Sequence, residues 1–270
     1  MRALFGRPDL VVSDLDGTLV SATLEFSAAI TNGVARLRQA GVPFVICTGR
    51  MLRSASRMAA QLGIDSGLIV CYQGALVVDL GSGEWLLHRP VLPHLAAEVV
   101  VHMRTIGRHL NAYIDDEFFV EDMDEWARRY ADYAKVACNV VDDLRATVQA
   151  TPPTKLLVAT DPDDAAALLP QLQERWRGAL YVTRSLPQYI EITAANATKS
   201  AALEFLSARL GVRREHTVAC GDSLNDVDML EWAGLGVAVA EGAAVARKAA
   251  DLVMPRDELG KLFAELADGA

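Results

Sequence analysis

The chain of 270 residues is poor in cysteine: it has four, Cys47, Cys71, Cys138 and Cys220, and no CxxC pair among them. That spacing suggests neither a structural zinc site nor a dithiol redox motif. Cys47, Cys71 and Cys220 lie in apolar runs and read as small buried hydrophobes of a reducing cytoplasm. Histidine is scarce too. His88, His94, His102, His109 and His216 form no HxH or HExxH arrangement, so they read as structural. Basic residues are in deficit: Lys plus Arg is 26 against 35 Asp plus Glu, a formal charge of −9. Such a surface argues against a nonspecific nucleic-acid binder. It leaves room for a small phosphorylated substrate, since a site can be locally positive. No stretch approaches the roughly 18 apolar residues of a membrane helix. The opening MRALFGRPDL has too short an apolar run for a signal peptide. A cytoplasmic protein without membrane or nucleic-acid partners is expected, with its oligomeric state open.

What is present is core-forming material: 51% of residues are apolar, enough for one large or two modest domains. Short β-branched runs alternate with helical periodicity. Buried strands are expected at 10–13, 42–47 and 68–71, with helices at 26–40 and 52–62 between them. That order calls for a parallel sheet with helices on both faces. After Val78 the pattern changes. Residues 79–84 read as a turn between short strands and 115–117 as the turn of another hairpin. Leu95, Val99, Met103 and Ile106 share a helix face, and 122–134 is helical. Asp161 and Pro162 open a further helix as N-cap and first residue. Strands at 155–159, 180–183 and 189–192 complete an α+β unit. From Lys199 the alternation resumes, with helices at 200–210, 226–233 and 243–250 and strands at 217–220, 236–239 and 252–254. The fold class expected is α/β: a Rossmann-like core from residues 1–78 and 186–270, interrupted by a smaller α+β domain at 79–185.

The chemistry lies at strand ends. The first strand delivers Asp14 and Asp16 into the turn Asp14-Leu15-Asp16-Gly17-Thr18. Open α/β sheets bind ligands at that edge, and residues two apart face the same side. Two carboxylates so close repel unless a cation joins them. Gly17 allows a tight backbone path. Thr48-Gly49-Arg50 ends the next strand, where a hydroxyl and a backbone amide could hold a phosphoryl oxygen; alone it also fits a plain turn. Lys199, just before a helix, alone also fits solvated surface. Cys220-Gly221-Asp222-Ser223-Leu224-Asn225-Asp226 follows a third strand. Asp222 and Asp226 can converge on the cation that Asp14 approaches, and an all-oxygen set suits Mg2+ better than zinc.

These four motifs, DLDGTL, TGR, Lys199 and GDSLND, in this order, resemble the haloacid dehalogenase (HAD) superfamily. The insert between TGR and the lysine is similar to its second type of cap, and the layout to the Cof-type phosphatases. Tyr72-Gln73-Gly74-Ala75 is similar to a segment that usually carries Asn where Gln73 stands, and Ser223 stands where many Cof-type members have Gly. The resemblance implies that Asp14 attacks phosphorus to form an aspartyl-phosphate and that Asp16 is general acid and base. It implies Mg2+ on Asp14, the Asp16 backbone carbonyl and Asp222, with Asp226 as ligand or support. Thr48 and Lys199 hold the phosphoryl oxygens, with Gly49, Arg50, Asn225 and Gln73 among phosphate or substrate contacts. The function expected is Mg2+-dependent hydrolysis of a small phosphorylated metabolite such as a sugar phosphate. The alternatives are a phosphomutase of the phosphomannomutase type and a non-enzymatic, receiver-like phosphate-sensing module. Dinucleotide binding is disfavoured, because no GxGxxG follows the first strand.

Overall fold

The computed structural model describes residues 6–21 and 23–269. The first five residues, part of the opening segment read against a signal peptide, lie outside the described residues. The chain begins β1 (Leu10–Ser13), α1 (Ala28–Gln39), β2 (Phe44–Cys47), α2 (Leu52–Gln61), β3 (Leu68–Cys71), β4 (Leu76–Asp79) and β5 (Trp85–His88). The middle runs α3 (Pro93–Thr105), β6 (His109–Ile114), β7 (Glu117–Val120), α4 (Glu125–Ala134), β8 (Cys138–Val140), α5 (Leu144–Ala150), β9 (Lys155–Ala159), α6 (Pro162–Arg175), β10 (Leu180–Leu186) and β11 (Tyr189–Ala194). The last part is α7 (Lys199–Leu210), β12 (Thr217–Gly221), α8 (Val227–Trp232), β13 (Leu235–Val239), α9 (Ala244–Ala249), β14 (Leu252–Met254) and α10 (Leu259–Asp268).

Eight strands form one sheet in the order β14-β13-β12-β1-β2-β3-β4-β5. It is parallel from β14 to β3, and β4 and β5 return antiparallel. Alternation along each strand feeds two cores. Val11 packs with Ile30 and Val34 of α1, Met58 of α2 and Phe263 of α10. Leu10 and Val12 pack on the other face with Leu203 and Leu206 of α7 and Met229 of α8. Strands buried on both faces read as unbroken apolar runs, which is why they were legible. The six-stranded second sheet runs β10-β11-β9-β6-β7-β8. Leu156, Val158, Ile190 and Ile192 pack against α3, α5 and α6. Their alternating neighbours Leu157, Tyr189 and Tyr113 join the core of the first sheet instead. One face of the second sheet therefore looks at the edge where the motif strands end.

Several local expectations are revised. Ser27 takes the N-cap of α1, accepting from the Ile30 amide at 3.2 Å, so the helix starts at Ala28. Asp161 holds the N-cap position of α6 but makes no cap bond. The helix expected at 226–233 is α8, entered through a tight turn at Leu224–Asp226 in which the Asp226 carboxylate turns back onto the Asp222 and Ser223 amides. Strand β8 and helices α5 and α10 were not expected from the sequence. The last depends on a distant partner: α10 crosses α1 so closely that a Cβ on Gly260 would fall 2.3 Å from the Ala29 carbonyl carbon. Sheet membership changes after His88 and after Ala194, later than the division drawn at 79 and 185. A hairpin and a return strand carry no local sign of which sheet they join. Among the described residues, no helix is long and apolar enough to cross a membrane.

Candidate active site

Strands β12, β1 and β2 are parallel neighbours, so their C-terminal ends open on one edge. Asp222, Asp14 and Thr48 follow these three strands directly. The ladders extend into the site: the Asp14 amide donates to Cys220 O and the Thr48 amide to Val70 O, both at 2.9 Å. Gly17 has φ +91°, and a Cβ there would fall 2.3 Å from an Asp222 carboxylate oxygen, so this turn admits no side chain. Arg256 clamps the same turn, donating to Gly17 O from Nε and Nη2 at 3.0 and 2.7 Å.

Lys199 opens α7 and is buried to 1% exposure. Its ammonium lies 2.5 Å from Asp14 Oδ1 and 2.6 Å from Asp226 Oδ1. Gly74, at φ +96°, lets the turn after β3 lie against the start of α7; a Cβ would meet Thr198 O at 2.1 Å. The other Asp226 oxygen accepts from the amides of Asp222 and Ser223, each at 2.9 Å. Asp222 Oδ1 accepts from the Thr18 hydroxyl at 2.8 Å. Three carboxylates thus gather around one buried ammonium. Burial, then Asp226 and Asp222, hold Asp14 well above the usual carboxylate range against the pull of Lys199. Burial and Asp226 push Asp222 up to about 7. Burial pulls Lys199 down, but Asp14 and Asp226 outweigh it and hold it above its ordinary value. Asp14, Asp222 and Asp226 each offer an oxygen, all within 4.8 Å of one another. The residues present therefore fit a cation: the cluster carries surplus negative charge, and its donors are hard oxygens.

Arg50 reaches back to Asp16 and forms a two-pronged ion pair, Nε to Oδ2 and Nη2 to Oδ1, both 2.6 Å. Ser54 and Tyr133 accept two further bonds from it at 3.0 Å each, and the centre of the Tyr133 ring lies 4.6 Å from the guanidinium carbon. The Arg50 amide donates to the Thr48 hydroxyl oxygen at 3.2 Å. Gln73 stands behind this loop, its amide donating to Thr48 O at 3.1 Å and its Oε1 accepting from Asn225 at 3.0 Å. Gln73 Nε2 and Asn225 Oδ1 are buried without a hydrogen-bond partner. Of the residues singled out from sequence, Asp14, Asp16, Thr48, Gly49, Arg50 and Asn225 line one cleft. Lys199, Asp222 and Asp226 stand around Asp14, and Gln73 stands behind Gly49. Ser223 donates to Ser185 O at 3.2 Å, a link to the second sheet that a glycine would lack.

The opposite wall comes from the middle of the chain and was missed in the sequence: Tyr130 and Tyr133 of α4, Lys155 and Leu157 of β9, Tyr189 and Glu191 of β11. The available signal was charge in otherwise apolar strands, Lys155 in KLLVA and Glu191 in YIEITA. None of the five histidines lines the cleft. Cys47, Cys71 and Cys220 are buried free thiols, as expected.

Residues 11–259 match the model of a family described as haloacid dehalogenase-like hydrolase. The 5-amino-6-(5-phospho-D-ribitylamino)uracil phosphatase YitU of Bacillus subtilis is 28% identical over 93% of this chain and 94% of its own. The HMP-PP phosphatase of Escherichia coli O6:H1 is 28% identical over 84% and 82%. Among solved structures, TM0651 from Thermotoga maritima superposes with a TM-score of 0.80 at 30% identity, covering 96% of both chains. A haloacid dehalogenase-like hydrolase from Bacteroides thetaiotaomicron gives 0.83 at 26% identity, over 95% of this chain and 98% of that one. With the three motif strands side by side, the chain belongs to the haloacid dehalogenase-like hydrolases and is an enzyme of their phosphatase kind.

Proposed function

We propose that this phosphatase hydrolyses a small phosphorylated metabolite, a sugar phosphate or similar, through an aspartyl-phosphate on Asp14 with Mg2+ as cofactor. The observation that carries the reading is the placement of Asp14. Its Oδ1 is held by Lys199 at the end of β1, while the residue lines the cleft beside Thr48 and Arg50. Asp14 forms the new bond to phosphorus as the bond to the alcohol oxygen breaks, and Asp16 gives that oxygen its proton. Asp16 then takes a proton from the water that attacks the acyl-phosphate, releasing inorganic phosphate and restoring Asp14. In the arrangement described above, Arg50 occupies Asp16. Phosphoryl oxygens compete for the same guanidinium, so substrate entry draws Arg50 off and frees Asp16 for proton transfer. Thr48, the Gly49 amide and Lys199 hold the remaining phosphoryl oxygens, with Asn225 and Gln73 beside them.

Mg2+ would sit on Asp14, the Asp16 backbone carbonyl and Asp222, where it supplies positive charge against the phosphate. Asp226 supports that set through Lys199 and the two amides. The segment carrying the second sheet, expected at 79–185, acts as a cap whose closure excludes water. Tyr130, Tyr133 and Tyr189 then select the leaving group. Four thiols without a disulfide support a cytoplasmic setting. The test is Asp14→Asn assayed with an aryl phosphate and Mg2+, with chelation by EDTA in parallel. Turnover is lost in both arms, while the variant keeps the wild-type melting temperature. Retained turnover by a clean Asp14→Asn preparation overturns the nucleophile, and EDTA-resistant turnover overturns the metal.

A further inference from the structure

Lys155 is a buried cation with no role so far. It lies on β9, in the middle of the second sheet, at 1% exposure. Its ammonium pairs with Glu191 at 2.6 Å and sits 4.6 Å from the centre of the Tyr113 ring directly across the ladder. Glu191 is fixed in turn by the Ser185 hydroxyl at 2.7 Å. Two contacts leave the second sheet: the ammonium lies 5.6 Å from the centre of the Tyr72 ring, and Lys155 Nζ donates to Gly49 O at 2.8 Å. That carbonyl belongs to the phosphate loop of the first sheet.

The Gly49 carbonyl and the Arg50 N–H are two ends of one rigid peptide plane and point in opposite directions. Lys155 holds one end. Thr48 Oγ1 holds the other, accepting from Arg50 N. A hydroxyl whose lone pair is committed in this way has its hydrogen left to donate elsewhere, and Thr48 lines the cleft beside Asp14. The loop is closely packed on both sides: a Cβ on Gly49 would fall 2.2 Å from Gln73 Nε2 and 3.4 Å from Glu191 Oε1, and the Gln73 and Tyr72 backbone amides hold the Thr48 and Arg50 carbonyls but not that of Gly49. We infer that Lys155 is a positioning residue, which sets the Gly49–Arg50 peptide from the second sheet and thereby aims the Thr48 hydroxyl at the phosphoryl group. The inference rests on the phosphatase mechanism proposed above. It makes the phosphate site complete only when the two sheets are together.

The experiment is a double-mutant cycle of Lys155→Met and Thr48→Val on aryl phosphate hydrolysis with saturating Mg2+. Each single variant lowers kcat/KM by about ten- to a hundredfold, the scale of one hydrogen bond to a charged group. The double variant falls no more than about threefold below Thr48→Val, because Lys155 acts through Thr48. Lys155→Gln, which keeps a donor, recovers part of the loss. It also replaces Lys155→Met in the cycle if the latter does not melt cooperatively. Multiplying losses in the double variant, or a lowered melting temperature with unchanged kcat per folded molecule, overturns the inference. Asp14→Asn run alongside separates the two readings. If it is inactive and the cycle multiplies, only Lys155 is misassigned; if it is active, the mechanism falls and this inference with it.

Discussion

Arg50 grips Asp16 through two parallel bonds of 2.6 Å, and Tyr133 of α4 supports the guanidinium from the second sheet's side. In the proposed mechanism this ties the general acid to the residue that would meet the phosphate. An exchange of partners on substrate binding follows, since a carboxylate and a phosphoryl group offer the same fork-shaped acceptor.

Arg50→Lys tests that exchange. A lysine cannot span two oxygens, so KM for an aryl phosphate rises about tenfold or more. Asp16→Asn lowers kcat by about a hundredfold or more. Steady-state kinetics of the two variants separates binding from proton transfer. An unchanged KM in Arg50→Lys means that Arg50 only braces Asp16.

Asp116 links the two sheets at another point. Helix α2 has Met51 at its N-cap and no side-chain cap of its own. Asp116, in the turn between β6 and β7, supplies one from the second sheet. Its Oδ2 accepts from the Arg53 amide at 2.8 Å and its Oδ1 from the Tyr72 hydroxyl at 2.7 Å. Asp116→Ala lowers the unfolding free energy by about 1–2 kcal/mol, the worth of an N-cap, part of it from φ 59° at this position. Asp116→Asn keeps an acceptor and tolerates that φ, so it loses much less. Urea unfolding of both variants checks this, and equal losses would exclude the capping role.

The thiols report on burial. Burial pushes Cys220 up to about 12 and half-exposed Cys138 up to about 11. Both values lie above the ordinary thiol, so the reactive thiolate is rarer in the folded chain than in the unfolded one at pH 8. Native protein therefore reacts slowly with iodoacetamide, first at Cys138, and all four thiols react quickly in denaturant. Rapid labelling of Cys220 in the native protein would contradict its burial.

Much of the first sheet and its edge was legible in the sequence because the relevant signals are local. Parallel strands buried on both faces are continuous apolar runs, as at Leu10–Ser13 and Phe44–Cys47. The residue after each strand lies at the ligand edge wherever the strand sits. Asp14, Thr48 and Asp222 could be named on that ground. The opposite wall is set by pairing over long separations. Tyr113 meets Lys155 and Leu157 meets Glu191 only through register between β6, β9 and β11. A one-residue slip would turn Lys155 and Glu191 away from the cleft.

The linear order of residues sufficed for the class of fold and for placing Asp14, Thr48 and Asp222 at three strand ends, because period-two burial and strand termini are properties of a few neighbouring residues. Partnership was decided in three dimensions. Arg50 pairs with Asp16 because β1 and β2 lie side by side, while Lys155 reaches the Gly49 carbonyl and Asp116 caps a helix of the other sheet only because the two sheets are packed together. Such contacts depend on distances and burial that no stretch of sequence specifies alone.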